Sequence, residues 1–176
     1  MKFFEMAQKR ESCRNFKPID VEKEKLIKCI EAARLAPSAC NGQPWNFIVA
    51  VEPDAVKKTR EFVQEIGMNK FTSECRAFII IYDGSASASA TIAGRIKRRD
   101  YTQIDTGIAA AHICYAAMDQ GLSTCILGWL NEVKIKGYFN IPESKRVHLV
   151  IAVGYAEDKP LRNKSRKPME DILKFV

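Results

Sequence analysis

The sequence has few of the residue patterns that metal and dinucleotide sites require. Its six cysteines, at positions 13, 29, 40, 75, 114 and 125, include no Cys-x-x-Cys pair, which argues against a zinc ribbon and an iron–sulfur cluster. Only two histidines are present, His112 and His148, and no Gly-x-Gly-x-x-Gly motif precedes a predicted helix. We therefore predict no metal site and no Rossmann dinucleotide-binding unit.

Long apolar segments are also lacking. The opening stretch MKFFEMAQKRESC mixes charged with apolar residues, so it predicts neither a signal peptide nor a membrane span. The sequence shows no internal repeat and no low-complexity tract. We expect a cytoplasmic protein without membrane contact, whose cysteines are free thiols rather than a disulfide framework.

The composition of the chain is typical of one globular domain spanning residues 1–176. It has 47% hydrophobic and 28% charged residues and a formal net charge of +7. This charge is compatible with nucleic-acid binding, with an anionic small molecule or with plain solubility. The basic clusters are KRESCRNFK, GRIKRRDY and LRNKSRK. None is a basic helix with interleaved aromatic residues, so we do not expect a nucleic-acid partner.

Apolar periodicity and capping residues predict alternating helices and strands. The predicted helices cover residues 3–9, 21–35 with Asp20 as N-cap, 53–66, 105–120, 131–139 and 169–175, and a basic helical stretch precedes residue 105. The predicted strands cover residues 46–51, 76–82, 122–128 and 146–156. The run RAFIIIY is typical of a central strand buried on both faces. The alternation indicates a layered sheet with helices on both sides.

Two segments have an unusual composition. The loop LAPSACNGQPWNF, residues 35–47, is rich in proline, glycine and asparagine, and such a loop lowers stability unless it links neighbouring elements or holds a ligand. The helix at residues 105–120 is almost wholly apolar and contains five alanines. We expect this helix at the centre of the fold or in a subunit interface.

Four segments, taken together and in this order, resemble the nitroreductase family of flavin enzymes. They are KRESCRNF near the N-terminus, APSACNGQPWNF after the second helix, ILG at the end of a strand and KSRKP after the last strand. The resemblance covers nearly the whole chain. It implies an α+β fold, a three-layer α/β/α sandwich around a central mixed, mainly antiparallel sheet of four to five strands.

The resemblance also implies tightly bound FMN and a homodimer in which each flavin lies between the subunits. In this family the proline-rich loop comes from the second subunit. Pro37, Ser38 and Asn41 would therefore contact the neighbour's flavin. The C-terminal arm, residues 157–176, would contact the partner subunit.

The phosphate and the pyrimidine edge of FMN both need cations. By the resemblance, Arg10, Ser12, Lys164 and Arg166 would bind the phosphate, for which the planar fork of arginine is well suited. Arg14 would face the N1/C2 edge of the ring, where a positive charge favours the reduced flavin.

The remaining cofactor contacts come from the middle of the chain. Asn69, with Lys70 as the second choice, would bind the polar edge of the ring. Backbone amides at Leu127 and Gly128 would face the flavin N5 and O4, and glycine permits close backbone approach. The Leu127 side chain would shape the entrance and the substrate preference.

These expectations describe an FMN-dependent oxidoreductase that passes a hydride from NADH or NADPH to an electron-poor small molecule such as a nitroaromatic or a quinone. We assign no catalytic side chain, because the flavin itself carries the chemistry. Two alternatives stay open. One is a flavin-binding member with a specialised role, such as a reductive dehalogenase or a biosynthetic dehydrogenase, and the other is a basic domain that binds a polyanion.

Overall fold

Helices and strands alternate in the computed structural model, which describes residues 2–85 and 99–176. Within these ranges the α-helices are α1 (Phe3–Lys9), α2 (Lys23–Arg34), α3 (Pro53–Val63), α4 (Tyr101–Asp119) and α5 (Glu132–Phe139). The strands are β1 (Trp45–Ala50), β2 (Ala77–Asp83), β3 (Ser123–Leu127) and β4 (Val147–Gly154). All four predicted strands are confirmed, with ends shifted by one or two residues.

The four strands form an antiparallel sheet in the order β1-β2-β4-β3. The central strands are β2, which contains the run of isoleucines, and β4. Residues 77–81 of β2 are fully buried, so the prediction of a central strand covered on both faces is confirmed. A single parallel bridge joins Ser12 to Thr124 at the outer edge of β3.

Alternating side chains of β2 hold the two helical layers against the sheet. Ile79 and Ile81 lie in the cluster formed with α2 and α4, whereas Phe78 and Ile80 lie in the cluster formed with α3 and α5. This division follows from the two-residue period of a strand. The fold is thus the expected three-layer α/β/α sandwich of the α+β class.

The start of α2 differs from the sequence expectation. This helix begins at Lys23, and its N-cap residue is Glu22, so the prediction of Asp20 as N-cap is wrong. The buried side chain of Val21 belongs to the core beneath α2. Its packing fixes the preceding segment in place, and helical geometry begins only after it.

The third and fourth helices also have different ends. The helix α3 stops at Val63, since Gln64 leaves helical geometry with φ −93° and ψ 7°. Residues 65–67 then form a separate 3-10 turn in which Ile66 and Gly67 have positive φ angles. The helix α4 begins at Tyr101, four residues before its predicted start at residue 105. Its N-cap is Asp100, whose side chain accepts a hydrogen bond from the backbone amide of Gln103 at 3.3 Å. An aspartate at this position satisfies one of the unpaired donors of a helix start.

The C-terminal arm contains only one 3-10 turn, Met169–Asp171, where a longer amphipathic helix is predicted. So short a segment gains too few helical hydrogen bonds to be stable without packing, and the side chains of Met169, Ile172 and Phe175 are exposed. The predicted basic helical stretch before α4 falls mostly on residues 86–98, outside the described residues. No helix in the described ranges has the length and apolarity needed to span a bilayer.

Candidate flavin site

The N-terminal segment lies along the outer edge of β3. The backbone amide of Cys13 donates to the Thr124 carbonyl at 2.9 Å, next to the bridge formed by Ser12. Arg10 ends α1 just before this segment. Arg14 follows it, with its guanidinium carbon 5.8 Å from the centroid of the Phe71 ring. One strand edge therefore carries the three polar residues predicted from KRESCRNF.

The C-terminal arm folds back onto the same segment. The Arg162 side chain donates to the Glu11 carboxylate at 3.2 Å and to the Ser12 carbonyl at 2.5 Å. Two residues later, the Lys164 ammonium donates to the Gln8 carbonyl. These contacts join residues about 150 positions apart in the sequence. The two predicted phosphate-binding groups, one from each end of the chain, are thereby brought together.

Arg10, Lys164 and Arg166 form a cluster of like charge, called here the cation cluster. Desolvation, followed by the positive charges of Arg10 and Arg166, lowers the pKa of the Lys164 ammonium. The nearby carboxylate of Glu11 is already engaged by Arg162. Such a cluster is unfavourable by itself, because like charges disfavour each other's charged forms. A phosphate dianion would neutralise it, so the residues present fit the phosphate group of FMN.

At the C-terminal end of β3, the backbone rather than the side chains is accessible to a cofactor. A Cβ atom added at Gly128 would meet no other atom within 4 Å. The Leu127 side chain is 3% exposed and lies in the core, whereas Ile126 is 42% exposed. The expectation that the Leu127 side chain shapes the entrance is therefore wrong. Only the backbone of this residue is available to a cofactor.

Asn69 connects this strand end to α3. Its side-chain amide nitrogen donates to the Val63 carbonyl at 2.9 Å and to the Trp129 carbonyl at 3.1 Å, and its backbone has a positive φ of 51°. Asparagine tolerates this left-handed conformation better than most residues. Both amide hydrogens serve the fold, so a flavin contact by Asn69 would have to use its side-chain oxygen.

The loop at residues 35–44 has a strained and specific conformation. Three non-glycine residues, Cys40, Asn41 and Gln43, have positive φ angles between 45° and 50°. The Ser38 hydroxyl accepts a hydrogen bond from the Gln43 amide at 2.9 Å. After the loop, Trp45 is 7% exposed and belongs to the core. The tryptophan thus anchors the loop from within, while Pro37 and Asn41 stay exposed.

A buried carboxylate holds the other side of this loop. Asp105 in α4 is 4% exposed, and it accepts a hydrogen bond from the Ala39 amide at 3.1 Å. A backbone donor that lost this partner would cost about 1 to 3 kcal/mol of stability. The loop is therefore fixed against α4 and β1, at the sheet edge opposite the cation cluster.

The predicted flavin contacts thus form two separate groups within one chain. One group follows β3 and the other precedes β1, and β2 and β4 lie between them. Adjacent strands are about 4.8 Å apart, so the two sheet edges are separated by roughly 14 Å. A single chain does not bring Ser38 and Asn41 to its own cation cluster.

A comparison with models of known protein families shows to which family this chain belongs. The family model described as the nitroreductase family matches residues 7–155. The chain belongs to the nitroreductase family. Solved structures align with it at TM-scores from 0.76 to 0.82, which agrees with the three-layer fold.

Three relatives illustrate the range of this nitroreductase family. Spy0809 of Streptococcus pyogenes, provisionally named an NAD(P)H nitroreductase, is 27% identical over 98% of each chain. A solved FMN-dependent nitroreductase from Clostridium difficile is 26% identical over 98% of each chain, with a TM-score of 0.78. The iodotyrosine dehalogenase 1 homolog of Caenorhabditis elegans is 28% identical over 98% of this chain, which spans 61% of that relative. These relationships support an oxidoreductase with FMN as its cofactor.

Some contacts of this nitroreductase site are missed by sequence reasoning. The ion pair of Arg162 with Glu11, which pins the arm, has no signal in the sequence, because the two residues are far apart and of common types. The loop anchor Asp105 has a weak signal, since it is one of only two acidic residues, with Asp119, in an almost wholly apolar helix. Among the described residues, no group of three or more His, Cys, Asp or Glu side chains is placed to hold a metal ion.

Proposed function

We propose that the protein is an FMN-dependent oxidoreductase that uses NADH or NADPH to reduce an electron-poor small molecule, such as a nitroaromatic or a quinone. The observation that carries this proposal is the cation cluster: the arm brings the Lys164 ammonium to the Gln8 carbonyl, two residues before Arg10, and the charges of Arg10 and Arg166 contribute to the lowered pKa of this ammonium. When bound, FMN supplies the redox chemistry by accepting a hydride at N5 and releasing it to the acceptor.

In this proposal each group on the β3 edge has a distinct task. Arg10, Lys164 and Arg166 bind the phosphate with charge-assisted hydrogen bonds. The Arg14 guanidinium would stabilise negative charge at the pyrimidine edge of bound FMN, and the Gly128 backbone, which carries no side chain, would allow the ring to approach closely. These groups bind and orient, so no side chain needs to act as an acid or a base.

We further propose a homodimer in which the loop at residues 35–44 completes the partner's flavin site. The support is that β2 and β4, with helices packed on both faces, lie between the two sheet edges, so a flavin bound to one chain would have to cross a covered sheet to contact both groups. The exposed apolar side chains of the arm, including Met169 and Phe175, fit a contact with the second chain. Six free thiols are compatible with a cytoplasmic location.

Thiol labelling tests the position of this loop. Cys40 lies in the loop and is exposed, whereas the other five cysteines are buried, and burial raises the pKa of Cys29 to about 11 and that of Cys75 to about 12. We expect an aromatic disulfide reagent at neutral pH to modify only Cys40 rapidly in the apoprotein, and FMN to slow this reaction severalfold. Cys40→Ser is the control that removes the fast phase. A rate that FMN leaves unchanged would contradict the dimer model.

The direct test of the proposed function combines a visible spectrum with turnover. The purified protein should show flavin absorption bands, and it should oxidise NADH or NADPH only when a quinone or nitroaromatic acceptor is added. A yellow protein without any such turnover would contradict the proposed reaction but would support FMN as the cofactor. A colourless protein that binds no added FMN, and that DNA retains in a salt-dependent way, would favour the polyanion-binding alternative.

A second candidate function is reductive dehalogenation. It is favoured by the similarity to the Caenorhabditis elegans iodotyrosine dehalogenase 1 homolog and to human iodotyrosine deiodinase 1, at 28% and 24% identity. The two functions differ in their acceptor. Anaerobic assays of the chemically reduced protein with a halotyrosine and, in parallel, with a nitroaromatic distinguish them, because halide release occurs only in dehalogenation.

A further inference from the structure

The side chain of Arg14 is held by an aromatic ring and not by an acid. Its guanidinium carbon lies 5.8 Å from the centroid of the Phe71 ring, which is within the limit of about 6 Å for a cation–π interaction. Burial raises the pKa of the Cys125 thiol in β3, and the positive charge of Arg14 opposes this rise. The guanidinium is therefore close both to the Phe71 ring and to the strand along which the flavin site is proposed.

No carboxylate neutralises this guanidinium among residues 2–85 and 99–176, where Arg14 makes no ion pair. The acid nearest to it in the sequence, Glu11, is engaged by Arg162. A carboxylate partner would cancel the positive charge and use up N–H donors. An aromatic face attracts the cation through its quadrupole and does neither. Arg14 thus keeps its charge and its donors beside β3.

The turn that carries Phe71 is fixed by a network of hydrogen bonds. Phe71 is the middle residue of a short 3-10 turn, Lys70–Thr72, and it packs against the core cluster formed with α3 and α5. The fully buried Thr72 hydroxyl donates to the Asn69 carbonyl at 2.8 Å and accepts from the Gln64 side-chain amide at 3.1 Å. The ring is therefore a stable surface against which a flexible side chain can be positioned.

The position of the guanidinium matters because a free arginine side chain is mobile. Arg14 is exposed, and fixing an exposed long side chain when a ligand binds costs conformational entropy. A contact with Phe71 that exists before binding reduces this cost, since the charge is already in place. Preorganised charge of this kind stabilises a developing anion more than a mobile charge does.

We propose that Phe71 is a positioning residue for Arg14, which it holds without neutralisation at the pyrimidine edge of FMN, so that the reduced, anionic flavin is bound more tightly than the oxidised flavin. This inference rests on the proposed function in one respect, namely that FMN binds along β3. The reaction concerned is the uptake of two electrons and one proton by FMN, with dithionite as the electron donor in the test. Loss of the ring should make the bound flavin harder to reduce.

The test compares the reduction potentials of FMN-loaded variants, measured against a reference dye during anaerobic reduction with dithionite. Phe71→Leu removes the aromatic quadrupole and keeps an apolar side chain in the core. It should lower the affinity for reduced relative to oxidised flavin about two- to fivefold, as expected for an exposed cation–π contact. This change corresponds to a potential lower by about 10 to 20 mV. Phe71→Tyr, which retains the ring face, should keep the parent potential.

The matched control is Phe139→Leu. Phe139 is also half-buried against the same core cluster, but its ring contacts Tyr138, at a centroid distance of 4.8 Å, and not a cation. The control variant should lose stability and keep the parent potential. If it shifts the potential as much as Phe71→Leu does, general loosening of the core is the cause and the proposal is wrong.

A double-mutant cycle shows whether Phe71 acts through Arg14. Arg14→Gln should lower the reduction potential by itself. In the Arg14→Gln background, Phe71→Leu should have no further effect on the potential, because the guanidinium that the ring positions is gone. Additive shifts would mean that the ring acts on the flavin independently of Arg14, which would overturn the proposal.

These measurements need bound FMN but no turnover. A yellow protein that oxidises neither NADH nor NADPH would contradict the proposed reaction and leave this test valid, whereas a colourless protein that takes up no FMN would overturn both. Urea unfolding of the same variants as apoproteins measures the contact itself. We expect a coupling of about two- to fivefold in the unfolding equilibrium constant between Arg14→Gln and Phe71→Leu. Strictly additive effects would show that the ring does not hold the guanidinium.

Discussion

Replacing Arg10 and Arg166 together with alanine should abolish stable FMN binding. Each arginine is expected to make a charge-assisted contact worth about 1.5 to 3 kcal/mol, so the double variant should bind FMN roughly 100- to 10,000-fold more weakly. The flavin bands of the parent protein should disappear after desalting. Titration of the apoprotein with FMN, followed by flavin fluorescence, measures the change in dissociation constant.

The control for this experiment is a variant that removes surface charge elsewhere. Arg34 is paired with Glu31 on the exposed face of α2, and Arg34→Ala should leave FMN affinity unchanged. A circular dichroism spectrum equal to that of the parent would show that the double variant is folded. If the folded double variant keeps its flavin, the cation cluster does not bind the phosphate and the site assignment is wrong.

Truncation of Trp45 should cause the largest loss of stability among the site variants. Its side chain is 7% exposed and lies in the core beneath the loop at residues 35–44. Trp45→Ala should lower the free energy of unfolding by about 3 to 5 kcal/mol through lost burial and the resulting cavity. Urea denaturation at fixed protein and FMN concentrations measures this change, because ligand binding itself raises apparent stability.

The second tryptophan of the chain provides the matched control. Trp129 is 48% exposed, so Trp129→Ala should cost less than about 1 kcal/mol. Trp45→Phe should recover most of the loss, since it retains an aromatic ring in the core. Equal destabilisation by Trp45→Ala and Trp129→Ala would mean that the loop is not anchored by core packing.

The fold was largely predictable because its signals are local. Strand β2 is identified by an uninterrupted apolar run between polar residues, and α2 by the helical spacing of its buried side chains. The ends of elements were less predictable. Asp20 is a good N-cap residue by type, but the packing of Val21 delays the helix. The helix α3 ends early because Gln64 leaves helical geometry and a separate 3-10 turn follows.

The candidate site was predicted as a set of residues and not as a geometry. The alternation of β3 places Ile126 outside and buries Leu127, which follows from strand register and is invisible in the short motif ILG. Asn69 was expected to bind the flavin, yet its amide nitrogen connects α3 to the segment after β3. Both differences arise because a side chain's role depends on the backbone groups that the fold places around it.

The sequence by itself determined the family, the layered fold and the presence of cations at both ends of the chain. Hydrophobic periodicity and turn residues act over a few positions, so a linear pattern records them. Only the tertiary structure decided that Arg10 and Lys164 share one cluster, that the loop lies at the opposite sheet edge, and that a bulge in β4 places His148 against Asp83. Such juxtapositions depend on strand order and register, which join residues far apart in the chain.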